Sequence, residues 1–309
     1  MQYSILSSEQ ILSLTRIWGR TPGEEKEHTE NWEKDLSHIY RLGLGMQELL
    51  QFLYGQHPDL NSFLQWANDN AVMPASVSAE GPDTLSPADI DHWNEHGYVV
   101  IREAVTEEEY SAANKAIWEF LGADPGDPES WYKNHPAKNG LMLVFTQHPA
   151  LHAIRNSACI RKAYEQLYGT SEIYTVIDKV SFNPPENDRY RFKGSPLHWD
   201  TSLEGPIPER FQGLLYLTPV TAEGGAFQCV PGFHRHIKQW IEGLPAGTDL
   251  RQYAINTLQP VSVTGNAGDF IIWHQALPHS ASPNRDISPR LVQYLTYIPD
   301  NFEDHRPWR

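Results

Sequence analysis

The first seventy residues carry apolar side chains at helical spacing. Ile11, Leu14, Ile17 and Trp18 follow Ser7-x-x-Gln10, a pairing in which each side chain satisfies a free backbone N–H at a helix start. Trp32, Leu36, Ile39 and Tyr40 form a second stripe. Gly43 and Gly45 punctuate the chain before a third, Met46 to Tyr54, and Leu60 to Ala67 is a shorter one. From Met73 to Ser86 the chain holds Pro74, Ser76, Ser78, Gly81 and Pro82 with few bulky residues, which reads as a linker or wrapping segment. Ser86-Pro87-Ala88-Asp89 then opens a short helix that ends at Gly97. Tyr98 to Ile101 reads as a strand, and Thr106-x-x-Glu109 opens a helix to about Leu121. A further helix runs from about Ser157 to Tyr168 and stops at Gly169.

After Gly169 the period changes. Ile173–Ile177, Phe211–Thr218, Ala226–Val230, Phe270–Trp273 and Arg290–Tyr297 are β-rich runs between turn clusters. Helices first and antiparallel strands later predict a mainly β fold, a barrel or jelly roll with a helical N-terminal layer. We expect two parts: a helical extension over 1–80, serving as a lid or a dimer contact, and a jelly-roll domain over 81–309.

Composition narrows the function classes. Of 309 residues, 24 are Lys or Arg and 39 are Asp or Glu, a formal charge of −15. Such a surface repels phosphate backbones and anionic lipid, so neither nucleic acid nor membrane is expected as a partner. The 40% of hydrophobic residues and 10 Trp suffice for a core. No apolar run approaches the roughly 18 residues of a membrane span, and the N-terminus reads as no signal peptide. Only Cys159 and Cys229 are present, which excludes a disulfide scaffold or a cysteine zinc site and fits a cytoplasmic setting. Both cysteines read as small buried hydrophobes.

The chemistry centres on His198-Trp199-Asp200. In a strand, residues i and i+2 share a face, so this imidazole and carboxylate can converge on one metal. His279 follows 81 residues later on a predicted strand. Two histidines and one carboxylate form the facial triad of non-haem Fe(II) oxygenases, which leaves positions open for a cosubstrate and O2. His57-Pro58-Asp59 repeats the spacing in a helical region and reads as a turn. His274 competes with His279 as the distal ligand; His234 and His236 follow a Pro-Gly turn and read as structural or solvent-facing. Arg290 lies 11 residues after His279. If 279–281 and 290–297 pair as a hairpin, His279 and Arg290 sit opposite each other, and a dicarboxylate can bridge metal and guanidinium.

These residues fall within a longer set of matches. Glu95–Ile101, Pro196–Asp200, Gly213–Thr218, Gly224–His234, Gly268–Trp273, Leu277–Ser280 and Pro289-Arg290 resemble, in content and order, the phytanoyl-CoA dioxygenase family of Fe(II)/2-oxoglutarate oxygenases. The resemblance covers about 90 to 300 and implies a double-stranded β-helix. It implies iron held by His198, Asp200 and His279, with 2-oxoglutarate anchored by Arg290. Lys179 and Tyr216 stand near family positions that often contact the cosubstrate. Related halogenases replace the aspartate with a small residue; Asp200 is present here, which favours hydroxylation, with desaturation or ring closure as variants. The expected products of the cosubstrate are succinate and CO2. The expected substrate is a small polar metabolite, and an acyl-CoA or carrier-bound substrate is the alternative. Arg189, Arg191 and Lys193, just before the triad, read as a solvated loop or as a receptor for an anionic group. A metal-binding jelly roll without 2-oxoglutarate, isomerase-like or a binding module, is the reading from another class.

Overall fold

Side chains that satisfy free N–H groups set the helix starts of this chain. In the computed structural model, which describes residues 3–20, 31–73, 81–192 and 195–307, helix α1 spans Ser8–Trp18 behind the Ser7/Gln10 capping box. Helices α2 (Trp32–Arg41), α3 (Met46–Gln56) and α4 (Leu60–Asn70) follow. The four helices bury Leu14, Ile17, Ile39, Leu49 and Phe63 in a core of their own. The middle of the expected linker, 74–80, and Lys193 lie outside the described residues.

Helix α5 (Pro87–His96) starts on Ser86 and Asp89 and ends at Gly97, whose positive φ of 76° suits glycine. Strand β1 (Tyr98–Ile101) and helix α6 (Glu107–Leu121) come next, the latter opened by the Thr106/Glu109 box. A small hairpin, β2 (Lys138–Asn139) and β3 (Met142–Leu143), precedes α7 (Pro149–Arg155) and α8 (Ala158–Tyr168). Then come β4 (Ile173–Val176), β5 (Val180–Asn183), β6 (Phe211–Tyr216) and β7 (Phe227–Cys229), and the helices α9 (Ile237–Glu242) and α10 (Leu250–Thr257). The chain closes with β8 (Val261–Val263), β9 (Phe270–His274), β10 (His279–Ala281), β11 (Arg290–Tyr294) and β12 (Thr296–Pro299).

The strands form the predicted jelly roll. A seven-stranded sheet runs β1-β9-β6-β11-β5-β3-β2 and faces a three-stranded sheet, β10-β7-β8. All pairings are antiparallel. Side chains of the large sheet alternate between two cores. Phe270, Ile272, Leu215 and Leu291 face the helices α6 to α8, whereas Ile271, Trp273, Leu214 and Val292 fill the space between the sheets.

Two expectations about the strands need correction. The run Arg290–Tyr297 is two strands, because the chain changes sheets at Leu295: β11 pairs with β5 and β6, and β12 pairs with β4 in a separate ribbon. Nor do β10 and β11 form a hairpin. Strand β10 pairs with β7 in the small sheet, and β11 belongs to the large one. The intervening segment crosses between them, held where the Asn284 amide donates to Asn183 O and Ser288 O at 2.8 and 2.9 Å. His279 and Arg290 therefore come from opposite sheets.

The N-terminal helices lie against the β4/β12 ribbon. Tyr40 stacks on Tyr174 with ring centroids 6.5 Å apart, Arg41 pairs with Asp300, and Gln147 Nε2 donates to Gly43 O at 2.7 Å. Among the described residues no helix is long and apolar enough to cross a membrane. Cys229 is buried and Cys159 half-buried, and neither is in a disulfide.

Candidate active site

The site is assembled where the His198 backbone bridges to β10. His198 N donates to His279 O and His279 N to His198 O, both at 2.9 Å, so the two rings are held side by side. Their centroids are 4.5 Å apart. Trp199 points the other way, buried in the inter-sheet core with its Nε1 donating to Ala276 O at 2.9 Å. That anchorage turns His198 and Asp200 toward His279. One ligand atom from each of His198, Asp200 and His279 lies within 4.8 Å of the other two.

The ring nitrogens are already sorted. His198 Nδ1 faces Pro196 O at 2.8 Å and His279 Nδ1 faces Leu277 O at 3.1 Å. A carbonyl partner puts a proton on Nδ1 and turns Nε2 toward the cavity. Both Nε2 atoms look at the same carboxylate: His279 is 3.2 Å from Asp200 Oδ2 and His198 is 3.6 Å from Oδ1. Gln212 Nε2 donates to Oδ2 at 2.8 Å, fixing the carboxylate from a third side. Burial, and then the His279 charge, push the His198 imidazole down. Burial alone would raise Asp200, but the hydrogen bond and charge of His279 outweigh it and hold the carboxyl well below its usual range. Two imidazoles and a carboxylate are a donor set that suits a divalent transition metal.

Arg290 lines the same cavity of about 350 Å³. It is 2% exposed, and its Nε and Nη1 have no hydrogen-bond partner. No carboxylate among the described residues lies within ion-pair distance of it. A buried guanidinium without a counter-ion is costly and calls for an anionic ligand. Asn183, opposite Arg290 on β5, also has both side-chain polar atoms unpartnered. Gly225, at φ 77°, leaves them room; a Cβ there would meet Asn183 Nδ2 at 2.6 Å and Arg290 Cδ at 3.3 Å.

The other sequence candidates fall elsewhere. Tyr216 does not line the cavity; its hydroxyl accepts from Phe227 N at 3.0 Å and donates to Val263 O at 2.8 Å. With both roles taken by backbone, it ties three strands together, and burial pushes it up to about 12. Lys179 sits just before β5 and does not line the cavity; its neighbour Asp178 does. His274 packs against Phe211, Trp93 and His234, away from the triad. Arg189 pairs with Glu129 at 2.7 Å, and with Arg191 it lines an adjoining cleft of about 470 Å³. Gln212, Asn183 and Asp178 were not singled out by the sequence. Gln212 lies within the predicted run Phe211–Thr218, but a single polar residue there does not announce which face it takes, and Asn183 falls between the predicted runs.

The chain is similar to known proteins in sequence and in fold. A family model for phytanoyl-CoA dioxygenase (PhyH) matches residues 93–292. A methylphosphonate hydroxylase of Gimesia maris is 26% identical over 223 residues, covering 69% of this chain and 81% of that protein. Among solved structures, SnoK, a non-heme alpha ketoglutarate dependent carbocyclase from nogalamycin biosynthesis, has a TM-score of 0.53 at 21% identity over 71% of this chain and 87% of its own. HygX from Streptomyces hygroscopicus, solved with nickel and 2-oxoglutarate bound, has a TM-score of 0.51 at 15% identity, covering 71% and 88% of the two chains. At these identities the two structures speak to the fold.

Proposed function

The chain belongs to the phytanoyl-CoA dioxygenase family, and from that premise we propose that it is a non-haem Fe(II)- and 2-oxoglutarate-dependent hydroxylase. The observation that carries this reading is the triad sharing one cavity with an unpaired buried arginine. His198, Asp200 and His279 hold the iron. Arg290 takes the far carboxylate of the cosubstrate by a charge-assisted pair, and the Asn183 amide offers a further donor beside it. HygX, with the same fold, holds a metal and 2-oxoglutarate together.

Bound in this way, iron and 2-oxoglutarate supply the activation of O2 that oxidises a C–H bond. The protein's own contribution is geometric. Backbone carbonyls accept from both Nδ1 atoms and so orient the rings with Nε2 toward the metal position. Gln212 holds the Asp200 carboxylate. Leu214, Phe227 and Trp273 make the cavity wall apolar and limit water around the reacting atoms.

The substrate we assign is a small polar metabolite, and the reaction hydroxylation. The size of the cavity supports a small substrate, and the retained Asp200 carboxylate supports hydroxylation. The hydroxylase from Gimesia maris, named for a one-carbon phosphonate, is in keeping with both. The test is an anaerobic titration of the metal-free protein with Fe(II) and 2-oxoglutarate, followed by the weak visible charge-transfer band of the chelate. We expect a band in the wild type that needs far more 2-oxoglutarate in Arg290→Ala. Iron binding without any band would refute the reading and favour a metal-binding jelly roll.

A further inference from the structure

A second, smaller cavity opens on the other side of Asp200. It holds about 160 Å³ and is walled by Trp32 and Tyr40 of α2, by Tyr174 and Phe302, and by Arg210. Helix α2 lies outside the segment matched by the family model, so this wall is particular to chains with such an extension.

The charges around the cavity are unevenly satisfied. Arg306 donates to Ser202 O, Glu204 O and Thr201 Oγ1 at 2.8, 3.1 and 2.9 Å and pairs with Asp304 at 2.7 Å. Asp200 is committed to the triad. Arg210 differs. Its Nε is buried without a hydrogen-bond partner, and among the described residues no carboxylate is within ion-pair distance. Its guanidinium carbon lies 5.6 Å from the centroid of Phe302, an aromatic face that orients a cation without neutralising it. Glu33 also lines the cavity, but it is half-exposed on α2 and can be solvated.

We propose that this cavity receives the anionic end of the substrate, a carboxylate or phosphonate oxyanion, on the Arg210 guanidinium, with α2 as the opposite wall. The proposal rests on the reading above only in that Asp200 marks the metal. It gives the N-terminal helices a specificity role. Asp200 lines both this cavity and that of the triad, so an oxyanion on Arg210 sits in the cavity adjoining the metal position. The guanidinium offers a planar fork to two oxygens, and the aromatic wall excludes the water that would compete.

Methylphosphonate serves as the probe, followed by phosphorus NMR on the full chain, first without metal. We expect saturable line broadening in the wild type and none with the neutral dimethyl ester. Binding should weaken at least tenfold in Arg210→Gln, recover in part in Arg210→Lys and persist in Glu33→Gln and Arg290→Ala. With Fe(II) and 2-oxoglutarate added anaerobically, the bound phosphorus should broaden further through the nearby iron. Absence of saturable binding, or binding unchanged in Arg210→Gln but lost in Arg290→Ala, overturns the proposal. So does bound phosphonate that stays unbroadened in a wild type that shows the charge-transfer band, a result that does not depend on any variant folding. Loss of the charge-transfer band with phosphonate binding intact would instead refute the iron reading and leave the oxyanion site standing.

Discussion

The tripeptide His-x-Asp occurs twice in this chain, once in the helical unit and once in the barrel, with opposite fates. In the helical unit, His57 sits in the left-handed region at φ 47° and closes α3, its N–H on Leu53 O at 3.1 Å. Two residues on, Asp59 caps α4 by accepting from Ser62 N at 2.7 Å, and the Pro58 carbonyl between them accepts from Trp18 Nε1 at 2.9 Å. Polar groups of all three residues serve the helix ends. In the barrel, Trp199 replaces the proline, is buried, and pins the segment against the core. The backbone of His198 then bonds across to His279, and the side chains on either side of Trp199 are left facing a third residue from a distant strand. Spacing alone does not distinguish a cap from a ligand pair. The central residue and the long-range backbone partner do.

The comparison breaks most visibly at the metal. We expect His198→Ala or Asp200→Ala to abolish the charge-transfer band and 2-oxoglutarate consumption, while His57→Ala keeps both. Equal losses in the two histidine variants would mean that the barrel copy acts through stability alone. A pair of arginines sharpens the contrast at the next level. Arg16 of the helical unit finds its counter-ion within the fold, its Nε 3.0 Å from both oxygens of the buried Asp35. Arg290 of the barrel finds none among the described residues and is left for a ligand. A hydrogen bond to a charged group contributes about 1.5–3 kcal/mol. Arg290→Ala should therefore raise the 2-oxoglutarate concentration at half-maximal band by about ten- to a hundredfold. A variant that titrates like the wild type would make Arg290 a structural residue.

How legible this was depended on the range of the interaction. Helix starts and stops were readable, because Ser7, Ser86 and Thr106 act within three residues and Gly97 and Gly169 act on the adjacent turn. The triad was readable because His198 and Asp200 are neighbours and His279 lies in a recognisable segment. Sheet membership was not. Arg290–Tyr297 reads as one run of strand formers, yet it splits at Leu295 because its two halves find different partners. For the same reason the register of His279 with Arg290 could not be anticipated: strand pairing is a long-range choice that side-chain periodicity does not encode. The roles of Tyr216 and Gln212 were equally hidden. The hydroxyl of the first is taken by two backbone groups, and the amide of the second reaches a carboxylate 12 residues away in sequence.

A third histidine tests the same idea through pH. His274 neither caps a helix nor faces the metal position; its Nδ1 accepts from Ala276 N at 2.9 Å. Burial, with the nearby His234 adding to it, pushes this imidazole down to about 4 from 6.5. The unfolded chain therefore binds the proton first, and protonation in the fold would set a donor against the Ala276 N–H. The contribution to stability is fully present above about pH 6.5 and declines as the pH falls toward about 4. His274→Gln, whose amide oxygen can accept the same bond, should flatten the fall of the unfolding midpoint over that interval. An unchanged slope would assign the acid sensitivity to other groups.

The smallest effect belongs to the helical copy of the tripeptide. Asp59→Ala removes the side-chain acceptor for Ser62 N and leaves one N–H of the first turn of α4 to water. Asp59 is fully solvent-exposed, so water replaces most of what is lost. We expect the melting temperature to drop by roughly 2–4 °C or less, with the iron and 2-oxoglutarate titration unchanged. The Asn variant should recover the loss, since its side-chain oxygen caps as well. Were Asp59→Ala to weaken the titration instead, α4 would have to be coupled to the metal site. The packing offers a route for that, since α1 to α4 share one core and Tyr40 of that unit stacks on Tyr174 beside the Asp200 cavity.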